Sequence, residues 1–274
     1  GEIHIGNART ALFNYLFAKH HNGTFVLRLD DTDEKRSTKE AIDSMVRDIT
    51  WLGLDWDEGY LKGGDYGPYR QRERISIYNH YIDILLQTNF AYELYYTDEE
   101  VDKIREDYEK TLRTFSYRKL KENETEARVR EFKEKNINPA IVFKVEEDKD
   151  IVVNDLVRGN VKFNSSEFKD FVIRRSNGLP VYNYATVIDD ALMQITHVIR
   201  AEEHLSNTPK QILIFQALNF PLPLFAHISL ILAPDRTKLS KRHGATSLGQ
   251  FREMGILPEA LFNFLALLGW SPKD

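Results

Sequence analysis

Gly1-Glu2-Ile3-His4-Ile5-Gly6-Asn7 runs straight into Ala8, Ala11, Leu12, Tyr15 and Leu16, whose spacing of three and four is that of one helix face. A glycine at the head of a helix lets the backbone approach a ligand closely, and the N–H groups and dipole at that end suit phosphate. His4 adds a side-chain hydrogen-bond donor. After the helix, Thr24 to Leu29 is a β-branched and aromatic strand that ends in Asp30-Asp31-Thr32-Asp33. This succession is that of an α/β chain, in which ligands lie just beyond the carboxyl ends of strands. A histidine before one helix is weak evidence by itself. Its weight depends on a partner elsewhere.

That partner lies near the other end of the chain. Lys238-Leu239-Ser240-Lys241-Arg242 sits in the loop that begins Ala233-Pro234-Asp235-Arg236-Thr237, after the apolar run Phe225 to Leu232. Between Asp235 and Arg242 four basic side chains face one acid, a local charge of +3 in a chain whose total is −5. Such a loop suits an anion. An isolated Lys-rich loop is commonly a solvated turn, but here the opening stretch supplies the other half of a nucleotide site.

Length and composition set the limits. With 274 residues, 42% hydrophobic and 29% charged, the chain is an ordinary globular protein with room for more than one domain. Zero cysteines exclude disulfides and thiolate metal sites, and eight scattered histidines leave no compact four-ligand set, so no zinc or other structural metal is expected. No apolar stretch reaches membrane-spanning length and no signal peptide opens the chain, so a cytoplasmic protein, or one of an organellar matrix, is expected. The start inside a motif, without Met, implies residues upstream. Bulk charge excludes non-specific nucleic-acid binding; RNA contact needs local basic surfaces.

Along the chain, Ser37 and Glu40 predict a capping box ahead of a helix with Ile42, Met45 and Ile49 on its stripe and Gly53 at its end. The three acids Asp30, Asp31 and Asp33 read as a loop and helix-start signal rather than a magnesium site. Tyr69 to Arg74 reads as exposed helix charge, with contact to a phosphate backbone as the functional alternative. A helix with Tyr78, Tyr81, Ile82 and Leu85 on one face follows. Thr97 and Glu100 form a second capping box before a long polar segment. From Lys110 to Lys135 nine basic residues outnumber five acidic ones, the local surplus that RNA binding would need. Short strands follow at 140–145, 151–153, 161–164 and 171–174, then at 196–200 and 225–232. Arg200 and Glu203 fall at a strand's carboxyl end, where a ligand lies or a surface ion pair forms. Pro258 opens a last helix with Leu261, Leu265 and Leu268 on its face and Gly269 at its end.

His4-Ile5-Gly6-Asn7 and Lys238-Leu239-Ser240-Lys241-Arg242 resemble the paired signatures of class I aminoacyl-tRNA synthetases, His-Ile-Gly-His and Lys-Met-Ser-Lys-Ser. Over nearly its whole length the chain resembles the bacterial-type glutamyl-tRNA synthetase family. The matching stretches are 1–10, 28–33, 51–54, 67–71, 187–190, 197–204, 238–247 and 257–268. The resemblance implies an α/β fold: a Rossmann-like catalytic domain in two halves (1–75 and 187–217), an inserted α+β acceptor-binding module (76–186), and the start of a helical stem-contact region (218–274) with the Lys238–Arg242 loop. It implies a ligase that joins glutamate to ATP as glutamyl-adenylate, then passes it to the 3′ end of tRNA. The expected partners are ATP, L-glutamate and tRNA, with Mg²⁺ arriving on the nucleotide and the enzyme a monomer.

By the same resemblance His4, Gly6 and Asn7 contact ATP, Glu203 its ribose region and Ile231 the adenine. Lys238, Ser240, Lys241 and Arg242 face the phosphates, with Lys241 and His4 the catalytic pair. Asp30 stands near the amino group of glutamate, Tyr182 and Thr186 beside the substrate, and Arg200 on its side-chain carboxylate. No nucleophilic side chain is required, because the substrate's own carboxylate attacks. The chain departs from the family in several places. The strand that in the family precedes Gly1 is absent, Asp30 replaces a more usual Glu, Thr186 replaces an Asn, and Tyr92 to Tyr96 lacks the zinc cysteines of some relatives. The rival readings are the short paralogue that glutamylates queuosine in tRNA for aspartate, and a non-catalytic RNA- or protein-binding relic.

Overall fold

The computed structural model describes residues 3–32, 37–237, 239 and 244–270. Helix α1 (Ile5–His20) begins at the quoted stretch and is capped by His4, whose Nδ1 accepts the Gly6 N–H at 3.1 Å. Ile5, Ala8 and Leu12 are buried, so the spacing read from the sequence does form the packed face. Strand β1 (Val26–Leu27) pairs in parallel with β2 (Glu58–Gly59). Gly59 takes a φ of 124°, and a Cβ there would overlap the Leu27 carbonyl, so only glycine closes this pair.

Helix α2 (Lys39–Trp51) is capped by Thr38, one residue later than the expected Ser37: the Thr38 hydroxyl accepts the Ala41 N–H at 3.2 Å. The Glu40 backbone N–H, and then the Thr38 side chain, hold the Glu40 carboxyl below its ordinary range. A 3-10 turn (Gln71–Arg74) leads into α3 (Ile75–Gln87), which buries Tyr78, Ile82 and Leu85. Strand β3 (Ala91–Leu94) is followed by the polar segment, which forms three helices: α4 (Asp98–Lys110), α5 (Tyr117–Glu122) and α6 (Glu126–Glu134). The Thr97–Glu100 capping box is present in full.

Next come β4 (Ala140–Phe143), β5 (Asp150–Asp155), β6 (Gly159–Asn164) and β7 (Phe171–Arg174). Helix α7 (Tyr182–Leu192), β8 (His197–Ala201), α8 (Thr208–Ala217), β9 (Leu224–Ile228), α9 (Leu248–Glu253) and α10 (Pro258–Leu267) complete the described elements. β9 stops at Ile228, short of the expected Leu232. Strands β3, β4 and β7 make an antiparallel sheet. A second sheet has the order β6-β5-β9-β8, in which the β5–β6 hairpin is joined in parallel to β9, and β9 in parallel to β8.

Three apolar cores underlie these layers. One packs α3, α7 and α8 on β4, β5, β7 and β9; one joins α1, α2, α9 and α10; the third lies beneath α4 and α5. Arg9 of α1 ties α10 down by donating to the Leu268 carbonyl at 3.2 Å and to the Ser229 carbonyl, a cation at the negative end of the helix dipole.

The opening stretch and residues 246–248, which follow the basic loop, are far apart in sequence and neighbours in space. Ile5 N–H donates to Thr246 O at 2.8 Å, Leu248 N–H to Ile3 O at 2.9 Å, and His4 bridges Ser247. Leu239, within the basic loop, donates its N–H to Ile231 O at 3.1 Å and packs against the core of α1.

Candidate active site

A cleft of about 920 Å³ opens between α1, β1, α7 and β8. Asn7, Asp30, Tyr182, Thr186 and Arg200, five of the residues expected to bind ligands, line it together. They arrive from four separate elements, and each is placed by a local cause.

Arg200 comes from the carboxyl end of β8 and is 8% exposed. Its Nε donates to His227 Nε2 at 3.0 Å, its Nη1 to the Tyr182 hydroxyl at 3.3 Å, and its Nη2 to Thr208 Oγ1 at 2.8 Å and Gln211 Oε1 at 2.7 Å. All four acceptors are neutral. Among the described residues no carboxylate pairs with this guanidinium, so the surface ion pair considered from the sequence does not form. Burial pulls its pKa below the ordinary arginine value, partly offset by Tyr182 and by the more distant charges of Asp190 and Asp155. A buried cation surrounded by neutral acceptors is an anion site.

The opposite wall has the reverse character. Arg28, on the strand-end side of β1, donates from Nε to Asp30 Oδ1 at 2.8 Å, from Nη1 to Asp190 Oδ1 at 2.7 Å, and from Nη2 to Thr186 Oγ1 at 3.3 Å. Asp189 Oδ2 lies 3.6 Å from the same Nε. Burial lowers the Arg28 pKa, but Asp30, Asp190 and Asp189 outweigh it and hold the guanidinium well above its usual range. Burial raises the Asp190 carboxyl, and Arg28 opposes it. Asp189 is matched by Arg74, so Asp30 and Asp190 against Arg28 leave this wall with one net negative charge.

The remaining acids and bases of the neighbouring loops are used structurally. Asp31 is buried; it accepts from Arg70 at 2.8 Å and from the Arg72 N–H at 3.1 Å. Arg74 is buried against Asp189. Within the run Tyr69 to Arg74, Arg70 and Arg74 are therefore paired with Asp31 and Asp189 rather than standing as free helix charge. His4 and Gly6 stand at the head of α1 beside Asn7, though outside the cleft lining. Glu203 is exposed in the 3-10 turn after β8, and Ile231 is half-buried beside Leu239. Asp33, Lys238, Ser240, Lys241 and Arg242 lie outside the described residues.

Arg28 and Asp190, which fall in matching stretches but were given no role, line the cleft, and His227 and Asp155, which no motif marks, stand behind Arg200. Arg28 and Asp30 are two apart in a strand and so share a face, and Asp189-Asp190 interrupts an apolar run. Those are the signals that the sequence carries for them.

The sequence model described as tRNA synthetases class I (E and Q), catalytic domain, matches residues 1–274, and the chain belongs to this family. The expected class I synthetase fold is the one observed. Within the family, the chain is 54% identical over 274 residues to glutamate–tRNA ligase 1 of Caldicellulosiruptor saccharolyticus, covering 100% of this chain and 56% of that protein. It is 53% identical over 274 residues to the glutamate–tRNA ligase of a Sulfurihydrogenibium species, covering 100% and 57%. The crystal structure of a glutamate tRNA ligase from Elizabethkingia meningosepticum in complex with its amino acid superposes with a TM-score of 0.91 at 39% identity, over 100% of this chain and 60% of that one. The chain spans about half the length of the curated relatives that it matches. Among the described residues no helix is long and apolar enough to cross a membrane.

Proposed function

We propose that the chain carries the catalytic site of a glutamate–tRNA ligase. The reading is carried by Arg200, a buried guanidinium whose described partners are all neutral and which faces a wall of opposite charge. An α-ammonium group at Asp30 and Asp190 and a side-chain carboxylate at Arg200 would complete both halves. A carboxamide would leave the Arg200 charge unmatched, and that favours glutamate over glutamine within a family described for both. The names of the relatives agree.

In this reading an α-carboxylate oxygen of glutamate attacks the α-phosphorus of ATP and pyrophosphate departs. A hydroxyl of the terminal tRNA ribose then attacks the acyl carbon and AMP departs. The protein holds the two anions in line and stabilises charge as it moves onto the phosphates. His4, Gly6 and Asn7 at the head of α1 take the nucleotide. Its N-cap role fixes the neutral His4 ring with the proton on Nε2, as a donor, because Nδ1 accepts from Gly6. Glu203 and Ile231 take the ribose and adenine, and Lys238, Ser240, Lys241 and Arg242 the phosphates. Tyr182 and Thr186 flank glutamate. Mg²⁺ enters on the phosphates rather than in a protein cage, and no zinc is required. Among the described residues no cluster of three or more His, Asp or Glu could hold a metal ion.

We assign residues 76–186 as the inserted module for the tRNA acceptor arm, its β5–β6 hairpin anchored on the catalytic sheet, and 218–274 as the start of the stem-contact region. The enzyme acts as a cytoplasmic monomer. The test is pyrophosphate exchange by the full-length protein in the presence of tRNA, with glutamate against glutamine. Exchange with glutamate is expected; preference for glutamine, or no exchange with either, overturns the reading.

A further inference from the structure

Behind Arg200 lies a buried chain of side chains that the reaction itself does not use. His227, in β9, is fully buried and stands between Asp155 of β5 and Arg200 of β8. Its Nδ1 lies 2.6 Å from Asp155 Oδ2, and its Nε2 lies 3.0 Å from Arg200 Nε and 3.2 Å from Thr208 Oγ1. An ionised carboxylate can only accept, so the proton of the neutral ring sits on Nδ1 and Nε2 is left to accept from Arg200. Asp155 is itself fixed: Oδ1 accepts the N–H groups of Val157 at 2.9 Å and Arg158 at 2.8 Å, and Oδ2 that of His227 at 3.0 Å.

We propose that His227, oriented by Asp155, is a positioning residue that sets the aim and the free charge of Arg200 toward the substrate's side-chain carboxylate. The proposal rests on the reading of Arg200 given above. An imidazole suits the place for two reasons. It satisfies the rear N–H of the guanidinium, so that the Nη1 edge, held among the described residues only by Tyr182 at 3.3 Å, is turned to the cleft. It does so without a counter-charge, whereas a carboxylate at this position would neutralise Arg200 and remove its attraction for an anion. The charge of Asp155 is kept one ring away.

The variant that isolates this role is Asp155→Asn. It keeps shape and the Oδ1 bonds to Val157 and Arg158 and leaves the His227 N–H to Oδ1, which lies 3.2 Å from it, but its amide N–H must donate to His227 Nδ1. The ring proton then moves to Nε2, where it meets Arg200 Nε–H. Full-length protein with tRNA is assayed by pyrophosphate exchange for KM of glutamate, KM of ATP and kcat. Asp155→Asn should raise KM for glutamate about ten- to a hundredfold, the effect of losing a charged hydrogen bond, with KM for ATP unchanged. Adding His227→Gln, whose side-chain carbonyl accepts from Arg200 without a tautomer to invert, should restore KM to within several-fold. Arg200→Gln is run beside them. If it raises KM for glutamate and Asp155→Asn does not, the positioning role is overturned. If Arg200→Gln itself leaves KM for glutamate unchanged, the assignment of the carboxylate to Arg200 fails first. Equal rises for ATP and glutamate in Asp155→Asn would mean general damage and also overturn the proposal.

Discussion

Arg74 Nε lies 2.6 Å from Asp189 Oδ1, with 1% and 0% of the two side chains exposed, and this pair fastens α7 to the turn that precedes α3. Tyr78 donates its hydroxyl to both Asp189 oxygens at 2.9 Å, and Gln71 Nε2 donates to Oδ2 at 2.9 Å. Burial, then the Asp189 charge, pushes the Tyr78 hydroxyl well above its ordinary pKa, so it stays a donor. Since Arg28 also reaches Asp189, this node sets the position of the cleft's acidic wall.

Arg74→Leu should therefore destabilise the fold by about 3–5 kcal/mol, the cost of leaving a buried carboxylate without its cation. Urea unfolding of the variant against the parent measures it. A loss within the roughly 1 kcal/mol of a surface ion pair would show that Asp189 finds water or another partner in solution.

The fold was legible where periodicity had a solvent side. α1, α3 and α10 each bury one stripe, and their faces are those read from the sequence. Helix α7 was not, because Tyr184 to Asp190 are all buried and a helix covered all round has no stripe to read. Of the candidate site, the sequence and its family resemblance named Asn7, Asp30, Tyr182, Thr186 and Arg200, and these line one cleft. The inward turn of Arg70 and Arg74 was not legible, since a charged residue shows its partner only once distant segments are folded together.

Acid should weaken the protein through the pair behind Arg200. Burial, and then the Arg200 charge, hold His227 below its ordinary value of 6.5 against the pull of Asp155. As pH falls through about 6.5 the unfolded chain takes up this proton and the folded chain does not, so stability falls at no more than about 1.4 kcal/mol per pH unit. For Asp155, burial raises the carboxyl, but bonds from the His227 ring and the N–H groups of Arg158, Val157 and His227 outweigh it and keep it below 3.8. Its contribution, present above the unfolded value, is lost only at still lower pH. Thermal melts of parent and His227→Gln between about pH 7.5 and pH 5 should show a shallower decline in the variant. Parallel curves would mean that other groups carry the acid loss.

Of the nine basic residues between Lys110 and Lys135, six are held in ion pairs: Lys110, Arg113, Arg118, Lys121, Arg128 and Lys135. Arg118 bonds Asp170 and the Val145 carbonyl, so it braces α5 against the sheet. Lys119, Arg130 and Lys133 are exposed and make no ion pair among the described residues. Changing these three to Gln should raise the apparent constant for tRNA and reduce the slope of its logarithm against log salt by up to about three, with adenylate formation spared. Arg118→Ala should instead lower stability. An unchanged salt slope in the triple variant would put the RNA on another surface.

His4 has two duties that substitution can separate. Its Nδ1 accepts the Gly6 N–H and so caps α1, while its Nε2–H is the donor assigned to the nucleotide. Asn at a helix N-cap also accepts such an N–H but has no ring proton to present, and Ala does neither. Glutamate-dependent pyrophosphate exchange should fall by about 10²–10³ in both His4→Asn and His4→Ala, the usual loss of one donor to developing charge. Only His4→Ala should also lose about 1 kcal/mol of stability. Because the donor acts on charge that grows in the transition state, the loss belongs in kcat, with ATP affinity changed far less. If His4→Asn exchanges at the parent rate while His4→Ala does not, the cap is the whole of the residue's role and the ring proton has no part in the chemistry.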